Sequence, residues 1–486
     1  MEKNKDLFTS RFGLLAATIG MAVGAGNIWR FPRLAGQYGG TFLIPWLLFL
    51  FLWSIPLLIV EFGLGQKIRL GTIGAFAKLN RRFTFMGWFV GICTTFILFY
   101  YSVVCGWSLK YFTLSLQGKI FNINHQQAWH NFTHLNLEAV LFHFISIALG
   151  VFIIYRGIVR GVERFSKIIV PSLFVLLIIA AVRAITLPQA GLGLHYFFRI
   201  EPAQLLNHRL WIDALSQSAW STGAGWGLML TYAIYTRNKE NIISNSFLTG
   251  IGNNLASILA GLAVIPTVFA LSVNADQAHR VLGAGNQGLA FIALPQLFAK
   301  MPAGSIFVTI FFLSLFFAAL SSLISMIELA TRILIDFGLK RKKAVLLVGT
   351  LTFILGVPSA LFLEFFNNQD WVWGLGLLLS GLFFIVVINW IGIREFFSNW
   401  LSFKMNRYFV KKIVEILFKF LMPLQFLIML GWWFWQSVQW NPETWWNPLR
   451  TYSIGTTVLQ WALVIMLGIG GTKYFYKWLS QNEEFK

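Results

Sequence analysis

Acidic residues are scarce in this chain of 486 residues: 18 Asp and Glu stand against 38 Lys and Arg, and charged residues of both signs make up only 12%. Cysteine is scarcer still, with two copies, Cys93 and Cys105. They fall in one apolar stretch, too far apart along a helix to bridge each other, so no disulfide framework holds the fold. So little charge, with 57% hydrophobic residues and a mean hydropathy of +0.69, excludes a soluble domain of ordinary composition. Low-complexity tracts, long linkers and soluble modules are missing too, which leaves one membrane domain. The polar start, Met1 to Asp6, runs into the first apolar span without the short apolar core and small-residue site of a cleavable leader, so the first span is expected to stay in the mature protein. The spans also lack a paired-acid, nucleophile–base or HExxH arrangement, so an enzyme is not expected.

What the chain does have is apolar segments of spanning length. Hydrocarbon about 30 Å thick needs about 20 apolar residues per helix. Such segments recur near 11–36, 41–66, 88–116, 137–155, 166–185, 211–235, 242–271, 304–337, 344–363, 371–393, 413–437 and 453–478, which predicts an all-α polytopic protein of about twelve transmembrane helices. The formal charge of +20 is concentrated in alternate loops. Lys67, Arg69, Lys78, Arg81 and Arg82 share one, Arg156, Arg160, Arg164 and Lys167 the next on that side, then 340–343 and 394–412. The intervening loops, 117–136 and 364–370, carry few cations. By the positive-inside rule both termini are expected on the cytoplasmic side of the plasma (inner) membrane. The cations then serve topology and contact with lipid headgroups, and no nucleic-acid partner is expected.

Two spans contain glycine where a continuous helix would leave no backbone group unpaired: Gly24-Ala25-Gly26-Asn27 in span one and Gly223-Ala224-Gly225-Trp226-Gly227 in span six. In hydrocarbon an unsatisfied backbone group costs several kcal/mol, so broken helix survives only against protein, water or a ligand. Both breaks therefore mark a binding site. They occupy the same place in two consecutive sets of five spans. Five is odd, so the second set must insert upside down, which places a pseudo-twofold in the membrane plane and the breaks near its middle. Half-helix ends there offer amides to an anion and carbonyls to a hard cation. The polar side chains around them, Asn27, Ser221, Thr222, Asn253, Ser321 and Ser322, are neutral oxygen donors. That set suits an alkali cation better than a transition metal.

These residues resemble the neurotransmitter:sodium symporter family. Span one, Arg11-Phe12-Gly13 through Gly20-Met21-Ala22-Val23-Gly24-Ala25-Gly26-Asn27-Ile28-Trp29-Arg30-Phe31-Pro32, is similar to the family signature nearly throughout. Trp220-Ser221-Thr222-Gly223, Asn253 and Phe317-Ala318-Ala319-Leu320-Ser321-Ser322 add to the match. The resemblance implies a LeuT-type 5+5 inverted repeat with helices one and six unwound. The transporter core would cover 1–400, with repeats near 8–185 and 205–400, and two further helices would occupy 401–486.

Carried over by position, the resemblance implies two sodium sites. The first uses Ala22, Asn27, Ser221 and Asn253, completed by the substrate's carboxylate; the second uses Gly20, Val23, Ala318, Ser321 and Ser322. Monoamine carriers of the family have aspartate at the position of Gly24. Glycine implies a substrate that brings its own carboxylate, an amino acid, seated near the Gly26 amide and the Tyr101 hydroxyl. The implied substrate site comprises Ala22, Gly24, Ala25, Gly26, Ile97, Tyr101, Trp220, Ser221, Gly223, Trp226, Leu323 and Met326. Its walls are apolar, which points to a hydrophobic amino acid and leaves aliphatic against aromatic open. Arg30 and Asp370 match the outer gate, and Lys5, Phe8, Tyr235, Glu328 and Asp336 the inner one, although arginine and tryptophan are usual at the first two inner positions. Chloride coupling stays open. Gln217, Ser221, Asn253 and Ser257 form a candidate chloride site with no acid nearby, yet Trp46 stands where a tyrosine ligand is expected.

The expected function is sodium-coupled import of a hydrophobic amino acid by alternating access; an amino-acid sensor with little turnover is the alternative. Glu61, deep in span two, is expected to accept hydrogen bonds from the unwound backbone of span six. His125, His130 and His134 in the 117–136 loop read as solvated side chains, and no metal is assigned to them.

Overall fold

The computed structural model describes residues 7–237, 240–401, 408–481 and 485. Lys5 lies outside them. The chain is all-helical: the single β-bridge among the described residues joins His134 to Phe362. Among the described residues, ten helices are long and apolar enough to cross a membrane. One of them, Ala25–Ile68, has 44 residues, about twice what a crossing needs. It turns back at Gly39, whose φ of 64° ends the helix Arg30–Tyr38, and so serves as the outer half of span one followed by span two. The inner half of span one is the 12-residue helix Arg11–Ala22. Span six is likewise in two pieces, His208–Ser221 and Leu228–Ala233.

The other crossings are Thr84–Leu116 (three), Leu137–Tyr155 (four), Ile158–Ile185 (five), Ile242–Leu271 (seven), Gly304–Asp336 (eight), Arg341–Leu361 (nine), Leu363–Ile391 (ten), Val410–Trp440 (eleven) and Ile454–Leu479 (twelve). Spans one, six, seven and twelve start with the local signals that open helices: Ser10 accepts from the Gly13 amide, Asn207 from Arg209, Asn241 from Ser244 and Ser453 from Thr456.

Spans three and eight, each 33 residues long, pack against each other along the middle of the molecule. Span five packs on seven, nine on four, and the inner half of span one on both five and seven. Burial separates core from periphery. In span ten 83% of the most apolar window is buried, against 28% in spans five, eleven and twelve, whose exposed Leu, Ile and Val side chains suit contact with lipid. Eleven and twelve are also fastened to the core. Trp371 of span ten meets Trp433, Trp440 and Tyr452 with ring centroids 5.8–5.9 Å apart, and Asn368 bonds the Thr451 carbonyl and the Thr456 hydroxyl.

Candidate functional site

Both helix breaks are present, and each has a different cause. In span one, Val23 (φ −75°, ψ 100°) and Gly24 (φ −114°, ψ −174°) are extended, and the helix restarts at Ala25. The freed amides find local acceptors: Gly24 N–H donates to Asn27 Oδ1 at 2.9 Å and Ala25 N–H to the Tyr101 hydroxyl at 3.1 Å. In span six Gly223, Gly225 and Gly227 have φ of 69°, 87° and 79°. Three left-handed residues in alternation are affordable only to glycine. The exposed peptide dipoles are met by a carboxylate. Glu61, fully buried in span two, accepts from Gly225 N–H at 2.5 Å and from Leu230 N–H at 3.4 Å, the role expected of it.

Between the breaks lies a cavity of about 120 Å³. Gly24, Gly26, Ala22 and Ser221 from the breaks line it, with Ile97 and Tyr101 of span three, Trp220, Gly223 and Trp226 of span six, and Ser322 and Met326 of span eight. A Cβ on Gly26 would meet nothing within 4 Å, so its backbone faces open space, whereas one on Gly24 would sit 3.0 Å from both the Ser322 and Tyr101 hydroxyl oxygens. Two expected wall residues are not at the wall. Leu323 is fully buried and reaches Gly150 of span four, and Ala25 is buried behind its hydrogen bond to Tyr101. The cavity also has lining the sequence did not suggest. Met21 lines it at the end of the helix Arg11–Ala22, Trp29, Tyr100, Val104 and Phe366 line it toward Arg30 and Asp370, and Asn286 and Gln287 enter from the connection between spans seven and eight.

The residues of the first candidate cation site converge. Asn253 Oδ1 lies 2.8 Å from the Ser221 carbonyl oxygen and 3.1 Å from that of Ala22, and 2.8 Å from Asn27 Nδ2. Turning the Asn253 amide over would supply N–H groups to Ala22 and Ser221 but would then set two donors against each other at Asn27. The donor set is neutral oxygen throughout, as a hard monovalent cation requires. At the second candidate site, Ser321 Oγ lies 3.0 Å from the Ala318 carbonyl and 3.5 Å from that of Val23. Ser322 Oγ lies 3.3 Å from Met21 O and 3.4 Å from Val23 O. Gly20 packs on the same serine: a Cβ there would lie 3.4 Å from Ser321 Cβ. Spans one and eight thus share one oxygen cluster.

Around the candidate chloride residues, Ser257 Oγ accepts from Asn27 Nδ2 at 2.8 Å. Among the described residues, buried Gln217 has a partner for neither amide atom, and the buried indole N–H of Trp46 has no acceptor.

The gate residues are placed at opposite ends. Arg30 and Asp370 line the outer part of the cavity but form no ion pair within 4 Å. Arg30 instead donates to Ser216 Oγ at 2.7 Å and lies 5.1 Å over the Trp220 ring. At the inner end Phe8 N–H donates to the Tyr235 carbonyl at 2.9 Å, and the Phe8 ring meets Tyr232 edge-on. Tyr235 donates to Glu328 at 2.6 Å, and Glu328 is paired by Arg341, a partner the sequence reading counted only among loop cations. Asp336 pairs with Arg332 at 2.9 Å and accepts from Gly71 N–H at 2.6 Å.

The chain is similar to known proteins over most of its length. The model of the sodium:neurotransmitter symporter family matches residues 5–136 and 123–479. An uncharacterized sodium-dependent transporter of Methanocaldococcus jannaschii is 32% identical over 364 residues, 72% of this chain and 74% of that protein. The sodium-dependent serotonin transporter of Drosophila melanogaster is 28% identical over 445 residues, 82% of this chain and 70% of the other. Among solved structures, MhsT in complex with L-phenylalanine superposes with a TM-score of 0.78 at 27% identity, covering 88% of this chain and 99% of that one.

Proposed function

The chain belongs to the sodium:neurotransmitter symporter family, whose members are sodium-dependent transporters, and from that premise we propose that it imports a hydrophobic amino acid with sodium by alternating access. The observation that carries the substrate class is Gly24. Among the described residues that line the cavity there is no carboxylate at the depth of the breaks, and the one acid, Asp370, lies toward the outer end beside Tyr100 and Arg30. A substrate without its own carboxylate would leave the first cation site one anionic ligand short. The substrate carboxylate binds at the Gly26 backbone and the Tyr101 hydroxyl, and its ammonium takes the freed carbonyls of spans one and six. Ile97, Trp220, Trp226 and Met326 enclose an apolar side chain. The MhsT structure, which holds L-phenylalanine, supports that substrate class.

In this reading Ala22, Asn27, Ser221 and Asn253 hold one sodium against the substrate, and Gly20, Val23, Ala318, Ser321 and Ser322 hold another. An ion shifts a conformational equilibrium only by its differential affinity for the two states. The second sodium does so because its ligands lie on two spans that must stay together. Two cations entering across about 100 mV supply about 4.6 kcal/mol, roughly a thousandfold accumulation. A chloride at Gln217, Ser221, Asn253 and Ser257 would return half of that electrical term, so its presence is visible in the voltage dependence. Both termini face the cytoplasm of the plasma membrane, and 1–400 carries the machinery.

Uptake of single radiolabelled amino acids into proteoliposomes, with sodium and chloride replaced in turn, tests the proposal. Concentrative uptake of a large apolar amino acid that disappears without sodium is expected. Uptake indifferent to esterification of the substrate carboxylate would refute the substrate class; saturable binding with no accumulation would refute transport.

A further inference from the structure

The fold does not treat the three histidines of the 117–136 loop alike. His125 opens the short helix His125–Thr133 and is buried. His130 and His134 are exposed and face each other, with ring centroids 4.2 Å apart and planes inclined by 32°. His134 stands just past the helix in extended backbone, and its ring turns back so that Nδ1 meets the carbonyl oxygen of His130 at 2.8 Å. A carbonyl only accepts, so Nδ1 carries the proton and Nε2 keeps its lone pair. No ring nitrogen of His130 has a protein hydrogen-bond partner among the described residues. Metal-binding histidines are built this way: one nitrogen is oriented by a backbone carbonyl and the other is left free for the ion.

We propose that His130 and His134 together bind a late first-row divalent cation, with zinc as the probe. The ligands are Nε2 of His134 and a ring nitrogen of His130, four positions apart at one helix end, within the spacing that paired zinc-binding histidines use. Imidazole nitrogen suits zinc, copper and nickel and is a poor ligand for sodium, so the site is chemically separate from the oxygen clusters in the membrane. Among the described residues no cluster of three or more His, Cys, Asp and Glu occurs. The site is therefore open, with water completing the shell. Room for that water exists in the adjoining cleft of about 480 Å³, which Gln126, Gln127, His130 and His134 line.

The position gives the site a consequence. Leu135 N–H donates to the Leu361 carbonyl at 2.9 Å, and His134 bridges Phe362, immediately before span ten begins at Leu363 and carries Asp370 inward. On the helix itself Trp129 stacks on Phe291, 4.7 Å apart and nearly parallel, close to the segment that brings Asn286 and Gln287 to the cavity. A cation joining His130 to His134 clamps the helix to the extended residue that follows it, between those two attachments.

Zinc retained by the purified full-length protein after desalting, counted by atomic spectrometry and titrated against a chromophoric indicator, tests the site without any transport assay. One zinc per chain is expected. His130→Ala and His134→Ala should each weaken it at least about tenfold, and so should the size-keeping His130→Gln and His134→Gln, while His195→Ala, exposed on another connection, should leave it unchanged. Equal retention by the His130 and His134 variants, or none by the unaltered chain, overturns the proposal. Because retention is read without substrate, it fails or succeeds independently of the amino-acid reading.

Discussion

Replacing Gly24 with aspartate puts a carboxylate where the proposed substrate places its own. A Cβ at Gly24 points between the Tyr101 and Ser322 hydroxyls, 3.0 Å from each, so the new carboxylate and the substrate's compete for Tyr101. At about 4 Å separation and an effective dielectric of about 20, two like charges repel by about 4 kcal/mol, roughly a thousandfold in affinity. Crowding contributes separately. Gly24→Ala makes the same close contacts without charge, at about 1–3 kcal/mol for overpacking, so the Asp-minus-Ala difference isolates the electrostatic part. The assay is sodium-dependent binding of a radiolabelled amino acid to purified protein, with arylalkylamine competitors that lack a carboxylate. Amino-acid affinity should fall by two to three decades from Gly24→Ala to Gly24→Asp, and the amine should compete only in the aspartate variant. If Gly24→Asp and Gly24→Ala bind the amino acid equally, the substrate carboxylate is not at Tyr101 and the reasoning is wrong.

Other outcomes follow from the same geometry. Glu61→Gln keeps the size of the side chain but turns one acceptor into a donor facing a backbone N–H, so the folded state should lose about 2–4 kcal/mol; an unchanged melting temperature in detergent would contradict the capping role. Ser322→Ala removes one hydroxyl from the cluster shared by spans one and eight, which should weaken sodium roughly ten- to a hundredfold, on the scale of one hydrogen bond to a charge. Sodium titration of uptake at saturating substrate reads this directly, and an unshifted half-saturation would remove Ser322 from the site. Gln217→Leu should abolish any dependence of uptake on chloride, measured by gluconate replacement, because it replaces the unpartnered amide by an apolar side chain of similar size.

The architecture was legible where the sequence departs from helix. Glycine at 223, 225 and 227 cannot be economical in hydrocarbon unless the chain is left-handed there, and it is. The acid at 61 had to be satisfied by something, and the nearest free donors were those of the other break. Wall residues were harder, because successive positions on a helix differ by about 100°. Ser322 faces the cavity, so Leu323, one residue on, turns away to span four. Asn286 and Gln287 were missed for another reason: tertiary contacts fix where the connection 272–303 lies, namely the packing of Phe291 against Trp29, Trp107 and Trp129 and the hydrogen bond from Arg33 to Asn286 Oδ1 at 2.7 Å. Arg341 sits in a run of cations that topology alone explains. That one of them turns inward to a buried glutamate is a tertiary fact.

Asn27 shows how the break, the cation and the outer elements are joined through one side chain. Its Oδ1 accepts from Gly24 N–H and thereby holds the break open at the first turn of the restarted helix. Its Nδ2 donates to Asn253 Oδ1 and Ser257 Oγ of span seven. An amide oxygen has two lone pairs, so Oδ1 can keep the cap and still face a sodium beside Asn253. The cation then pulls on the same carbonyl that fixes Gly24, and Gly24 borders the substrate's space. Coupling through this route requires no moving wire, only that sodium and cap share one oxygen. Asn27→Asp, which keeps that oxygen and adds charge, should therefore retain the break and tighten sodium while weakening an anionic substrate group. Asn27→Leu, which removes it, should weaken sodium and substrate together. Loss of one without the other in Asn27→Leu would show that the two are held by separate parts of the fold.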